Sequence, residues 1–488
     1  MTLYHEIYSR FSQQPDKLCF LDPKGNYITC KEFLNLLGSI QTNLVSEFGT
    51  IFYQKRIVAN VNNITNYLAL TYAMNGMGAT IVPIFSKDCE AIETIYCKTK
   101  AIAYITDNTE HLKSEFLNSK SIDELTLLVE SNHEYIARED NDEAMIIYTS
   151  GTTGIPKGVI LGNDGISHIT TFMNNYMKVD DSISEMVVAP LDHAFGFGRC
   201  HAVLKTGGQI CVGPSKLDIR LIQRLLTKKQ INALSIMPSI LTKIVDFASK
   251  HFAPIANNLN WLQTGAMKFE LEDRIALCDL FPNTAICLHF GMSESMRTTF
   301  INLNDEPDKR HTEGKASEGV ELAIVDEDKN ILPANTEGRL VTKGKNFALG
   351  YVDHEIFEKN IHDGWFLSND MALLDSDGYL HYKGRVDDVI NLNGLLIHPD
   401  EVEVILKPVL SDHIFCIAGI EDPKKVRDKV IALFVESKVD EKINIGYLSQ
   451  KWGDQDRHLL PSHIFWLDEF PRTKSGKVIR AKLYDLVE

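Results

Sequence analysis

The chain has 488 residues, 44% hydrophobic and 24% charged, the balance of a globular protein large enough for two to four domains. Its formal charge is −16, from 66 acidic against 50 basic residues, and no long Lys/Arg run breaks the excess. Neither nucleic acid nor an anionic membrane is therefore a fitting main partner.

The first segment, "MTLYHEIYSRFSQQPDK", is too polar for a secretory leader, and the nine cysteines are scattered without a CxxC pair. Both features point to a reduced, cytoplasmic protein. The longest apolar stretch, "NYLALTYAMNGMGATIVPIF", carries Asn and Gly and does not read as a membrane span. Next comes "MIIYTSGTTGIPKGVIL" at 145–161, two strand-like runs around a Ser/Thr/Gly turn. Further short β-branched runs follow: "MVVAP", "QICVG", "ALSIMP" and "AICLHFG". Among them "DIRLIQRLLTKKQI" has apolar residues at Ile219, Leu221, Ile222, Leu225 and Leu226, the spacing of an amphipathic helix. Alternation of this kind predicts a largely parallel α/β body. From about Glu318 the strands come closer together ("ELAIVDEDKN", "GRLVTKG", "LLDSDGYL"), as in a β-rich subdomain. The last hundred residues form a separate small unit. Its linker is "GRVDD" at 384–388, and "HIFCIAGI", "VIALFVES" and "HIFWLDEF" supply a small sheet.

The loop from Thr149 has a chemical reading. Successive N–H groups in a tight Ser150-Gly151-Thr152-Thr153-Gly154 turn make a concave anion site, the hydroxyls add donors, and Lys157 behind Pro156 adds a cation. The plain alternative is a polar surface turn. It is not a Walker loop, because no Gly-Lys pair in the chain is followed by Ser or Thr.

"YTSGTTGIPKG" resembles the phosphate loop of the adenylate-forming superfamily, which holds acyl- and aryl-CoA synthetases, peptide-synthetase adenylation domains and luciferase. Six further segments match that family in order: "PLDHAFGFG", "TGAMKF", "FGMSES", "FLSND", "GRVDDVINLNG" and "PRTKSGKVIR". The resemblance implies a large N-terminal α/β domain with a β-rich subdomain, residues 1–384, and a small mobile α+β domain, 385–488. It also implies ATP with Mg²⁺, and a reaction in two halves: a carboxylate attacks the α-phosphate, then a thiol displaces AMP.

Carried over residue by residue, the resemblance makes Lys477 the cation bridging carboxylate and α-phosphate, and Glu294 the Mg²⁺ ligand. Ser293, where the family more often has Thr, donates to the phosphate. Phe290, in place of the usual Tyr, packs on adenine beside Gly265, Ala266 and Gly291. Asp370 takes the ribose hydroxyls with help from Arg385, although Asn369 before it replaces the usual Gly. Asp387 is the hinge, and Gly394 clears the thiol channel. The acid pocket draws on His193, Phe195, Phe197, Met237, Gly265, His289 and Met292, with His193 flanking the substrate carboxylate. No carboxylate stands two positions past Phe195, where amino-acid-activating members offer Asp, so an uncharged acyl or aryl acid is expected rather than an amino acid. The thiol belongs to CoA or to the phosphopantetheine of a carrier protein; free CoA needs a basic surface site that the sequence does not reveal. Two other readings stay open: a luciferase-like oxygenase, and a nucleotide-binding relic suggested by Asn369, Asn391 and Leu396.

Overall fold

The computed structural model describes residues 2–22, 27–49, 52–108, 118–129, 142–149, 157–211, 218–392, 395–422, 429–437, 443–452, 454–472 and 478–486. By contact density the chain divides into two units, 1–149 with 156–321 and 342–364, and 150–155 with 322–341 and 365–488. The expected linker at 384–388 therefore lies inside the second unit.

The first unit holds two sheets. The nine-stranded sheet runs parallel through its centre, where Ser184–Val187, Ala233–Ser235, Trp261–Gly265 and Ala285–Phe290 lie side by side. It turns antiparallel at Thr299–Asn302. The seven-stranded sheet likewise has a parallel core, Arg56–Asn60 between Thr80–Pro83 and Ala103–Thr106. Its antiparallel border is Glu143–Thr149 with Lys157–Gly162. Parallel strands are covered on both faces, which is why their sequences are continuous apolar runs rather than alternating ones.

Helices start where the side chains can cap them. Thr29 and Glu32 form a reciprocal capping box for Cys30–Phe48, and Asp218 accepts from the Arg220 N–H to open Ile219–Thr227. The latter buries Leu221, Ile222, Leu225 and Leu226, the face its spacing predicted. Helix Ala194–Thr206 lies against the nine-stranded sheet through Arg199. The guanidinium there pairs with Glu185 at 3.0 Å and sits 4.5 Å from the Trp261 ring centroid.

The strands Gly338–Gly344, Trp365–Leu374 and Leu380–Arg385 belong to one sheet, the last two wholly within the second unit. A three-stranded sheet of Ile414–Glu421, Lys429–Glu436 and His463–Leu467 carries the C-terminal core. These are the three runs the sequence assigned to a small sheet.

Candidate active site

The Ser/Thr/Gly loop is closed by a hairpin: Thr149 and Lys157 face each other at the end of the antiparallel ladder. Ser150, Gly151, Thr152, Thr153 and Gly154 lie outside the described residues. Strand Gly350–Tyr351 pairs with Val159 and Ile160 and so delivers a side chain the motifs had not singled out. The Tyr351 ring lies 5.6 Å from Lys157 Nζ, and its hydroxyl donates a short hydrogen bond to Glu294 Oε1. One buried tyrosine thus links the loop's cation to the carboxylate expected to face the metal. The signal in the sequence was "ALGY", a tyrosine ending a strand beside the loop.

Ser293 and Glu294 are half-buried in the turn after strand Ala285–Phe290. Among the described residues no three His, Cys, Asp or Glu gather as a metal cage. A carboxylate standing almost alone fits Mg²⁺, which leans on nucleotide phosphates and takes one or two protein oxygens.

Backbone approaches are close around the strand ends. A Cβ on Gly265 would stand 2.2 Å from the His289 carbonyl oxygen, and the next residue, Ala266, has φ +63. Glycine is required at the first, and the second holds a conformation that costs a non-glycine residue free energy.

Among the residues expected to line an acid pocket, Phe195 meets His289 edge-on at 4.7 Å between ring centroids, and Gln263 Nε2 lies 3.1 Å from His289 Nδ1. Burial, reinforced by the nearby Arg297 guanidinium, holds the His289 pKa well below the usual histidine value, so the ring is neutral at neutral pH. Phe197 is not brought to this group. It stacks on His201 and packs against Tyr72, on another face of the same helix. The helical repeat accounts for this, since residues two apart point in nearly opposite directions. His193 is the residue before helix Ala194–Thr206, with Nε2 3.9 Å from Asp192 Oδ1. Met237 holds the corresponding place before Pro238–Lys243, and Met292 is half-buried.

In the second unit Asp370 and Arg385 face each other across the ladder, with Oδ1 and Nη1 3.5 Å apart. Asn369 donates to Asp387 at 2.8 Å and accepts from Arg339 at 3.2 Å. The asparagine that departs from the family's glycine therefore tethers the expected hinge residue. Gly394 and Lys477 lie outside the described residues. The strands Ile390–Leu392 and Leu395–Ile397 bracket the former, and a bridge between Arg472 and Val478 brackets the latter. Three residues beyond Lys477, Arg480 reaches Asp388 at 3.3 Å, Asp400 at 2.8 Å and Glu403 at 2.8 Å. That anchor was not foreseen, because its partners lie 77 to 92 residues away in sequence.

The same fold is found in ATP-bound MatB from Rhodopseudomonas palustris, with a TM-score of 0.88 and 20% identity over 100% of this chain and 99% of that one. It is found too in o-succinylbenzoate CoA synthetase (MenE) from Bacillus subtilis in complex with the acyl-adenylate intermediate, with a TM-score of 0.87 and 18% identity over 99% and 98%. The chain belongs to the AMP-binding enzyme family, which matches residues 8–352. The resemblance carried by the seven motifs is thereby borne out. Relatives in sequence include the 2-succinylbenzoate–CoA ligases of Bacillus cytotoxicus and Bacillus cereus, each 29% identical over 355 residues and covering 71% of both chains. No helix among the described residues is long and apolar enough to cross a membrane.

Proposed function

We infer that the chain is an ATP-dependent, AMP-forming acid–CoA ligase. The substrate carboxylate attacks the α-phosphate of ATP, the bond to pyrophosphate breaks, and an acyl-adenylate remains. The thiol of CoA then adds to the acyl carbon, AMP leaves, and a thioester is released. The observation that carries this reading is the Lys157–Tyr351–Glu294 group at the closing end of the Ser/Thr/Gly hairpin. A cation and a metal-directed carboxylate set beside a donor-rich loop suit a reaction in which two anions must meet.

In this reading Tyr351 fixes Glu294 so that its other oxygen is left for Mg²⁺, which neutralises phosphate charge when bound. Asp370 and Arg385 hold the ribose. Lys477 reaches the α-phosphate for the first half-reaction and is withdrawn for the second, as residues 385–488 turn about Asp387. The acid is of the acyl or aryl kind, consistent with relatives named for 2-succinylbenzoate. His193, before the helix that carries Phe195, flanks its reacting carboxylate.

The test is acid-dependent ATP–pyrophosphate exchange over a panel of carboxylic acids, followed by thioester formation with CoA. Exchange without O₂ uptake or CO₂ release supports the ligase over an oxygenase. Absence of exchange with every acid would overturn it.

A further inference from the structure

Two arginines are buried in the first unit around helix Ala194–Thr206, and only one of them is bonded to a carboxylate. Arg199 is fully buried and takes both oxygens of Glu185, Nε to Oε1 at 3.3 Å and Nη2 to Oε2 at 3.0 Å. Arg297 is 2% exposed and meets no carboxylate within ion-pair distance among the described residues. Its Nη1 and Nη2 donate to the main-chain carbonyls of Ala194 at 2.5 Å and Phe195 at 2.7 Å, and its Nε has no partner at all.

The surroundings relieve that charge only in part, through the field of Glu185, whose two oxygens are already bonded to Arg199. The guanidinium lies 5.6 Å from the Phe195 ring centroid, whose edge meets the neutral His289. Burial, with Arg199 as the second cause, pushes the Arg297 pKa down to about 9, which still leaves it cationic at neutral pH. The chain has also made room for it. A Cβ on Gly198 would stand 2.7 Å from Nη1, and one on Gly291 would stand 2.7 Å from the Arg297 backbone N. Arg297 itself holds φ +49, a left-handed conformation that costs a side-chain-bearing residue free energy. Two buried guanidinium groups share the single Glu185 carboxylate, and the one not bonded to it, on strained backbone with an unpartnered Nε, marks a site short of one anion.

We propose that the acid activated by this chain carries a second anionic group, a remote carboxylate, and that Arg297 receives it beside Phe195 and His289. The proposal rests on the ligase reading above and narrows its substrate to dicarboxylic acids. The guanidinium fork matches a carboxylate in two parallel hydrogen bonds, and the free Nε and the second hydrogen on each Nη are the donors left for it. The neighbouring surface is apolar: Phe195 and Phe300 pack against His289, and Met173 Sδ lies 3.8 Å from Gln263 Nε2.

Matched pairs test it: dicarboxylic acids against analogues in which the remote carboxylate is replaced by methyl. Each is assayed by pyrophosphate exchange with the full chain and with its Arg297→Met and Arg297→Lys variants. The wild type should favour the diacid by about 10²–10³ in kcat/KM, the cost of leaving a buried charge unpaired. In Arg297→Met that ratio should collapse toward one, and Arg297→Lys should restore part of it. A wild type indifferent to the second carboxylate overturns the proposal. So does an Arg297→Met chain that loses both acids in equal proportion, which would mark the arginine as a clamp on the Ala194 and Phe195 carbonyls. Thermal shifts with each acid, read without nucleotide, control for folding. Exchange with monoacids alone defeats this inference and leaves the ligase standing. Neither exchange nor a shift with any acid defeats both.

Discussion

Arg199 and Arg297 make an instructive pair. Both guanidinium groups are buried at helix Ala194–Thr206, Arg199 within it and Arg297 bonded to its first carbonyls, and each lies over an aromatic ring. Arg199 has Glu185 and the sulfurs of Met173 and Met177 around it, a closed arrangement that asks nothing of a ligand. Arg297 bonds only carbonyl oxygens and feels Glu185 through space. A buried charge bonded to its counter-ion belongs to the fold, whereas the one without such a bond is, in the proposal above, kept for a substrate. The C-terminal stretch repeats the contrast in sequence, with Arg480 held by three carboxylates and Lys477, three residues earlier, proposed for the chemistry.

The largest effect expected from this contrast is on stability. Glu185→Gln strands the Arg199 charge in the core and should cost about 3–5 kcal/mol in urea unfolding. Arg297→Met strands no charge and frees only the Ala194 and Phe195 carbonyls, so it should cost clearly less, about 1–2 kcal/mol. Equal destabilisation by the two would erase the distinction between them. The next largest effect is catalytic. Lys477→Ala should slow adenylate formation by about 10²–10³ while largely sparing thiol transfer from a supplied adenylate. Equal loss in both half-reactions would argue against rotation of residues 385–488.

Tyr351→Phe sharpens the account at the metal side. It removes one hydrogen bond to a carboxylate, so adenylation should fall about tenfold and require more Mg²⁺, with a melting temperature close to that of the wild type. A drop in melting temperature without a change in Mg²⁺ requirement would reduce Tyr351 to a packing residue.

The smallest effect lies in a partly exposed pair. The 2.6 Å contact between His398 and Glu337 raises the histidine pKa, despite opposing burial, and lowers that of the carboxyl. The raised histidine stabilises fully below its ordinary value of 6.5 and loses that contribution as pH rises through the higher folded value. The lowered carboxyl stabilises above 4.5 and loses that contribution as pH falls through its folded value. The pair is therefore strongest between the two ordinary values. His398→Gln should flatten the decline in stability from about pH 6 to pH 8 by no more than about 1 kcal/mol. An unaltered pH slope would show that the contact contributes nothing.

Much of this molecule was legible in its sequence for a physical reason. Inner strands buried on both faces leave apolar runs, and "AICLHF" and "VIALFVE" are such runs, found as Ala285–Phe290 and Lys429–Glu436. The motifs placed the Ser/Thr/Gly loop between two strand-like runs, found as the facing strand ends Thr149 and Lys157. What escaped was what depends on partners far apart in the chain. Whether Arg199 or Arg297 has a carboxylate is decided by strand neighbours, as is the meeting of Tyr351 with Glu294. The separation of Phe197 from Phe195 was within reach of helical periodicity. The grouping of 322–341 with 365–488 was not, since it rests on sheet pairing rather than on any run of residues.

The most direct measurement is the acid-dependent release of pyrophosphate and AMP by the purified chain with ATP, Mg²⁺ and CoA. The account predicts no turnover without an acid, adenylate formation with the right one, and a thioester once CoA is added. A chain that hydrolyses ATP regardless of acid, or releases no pyrophosphate with any acid offered, contradicts it.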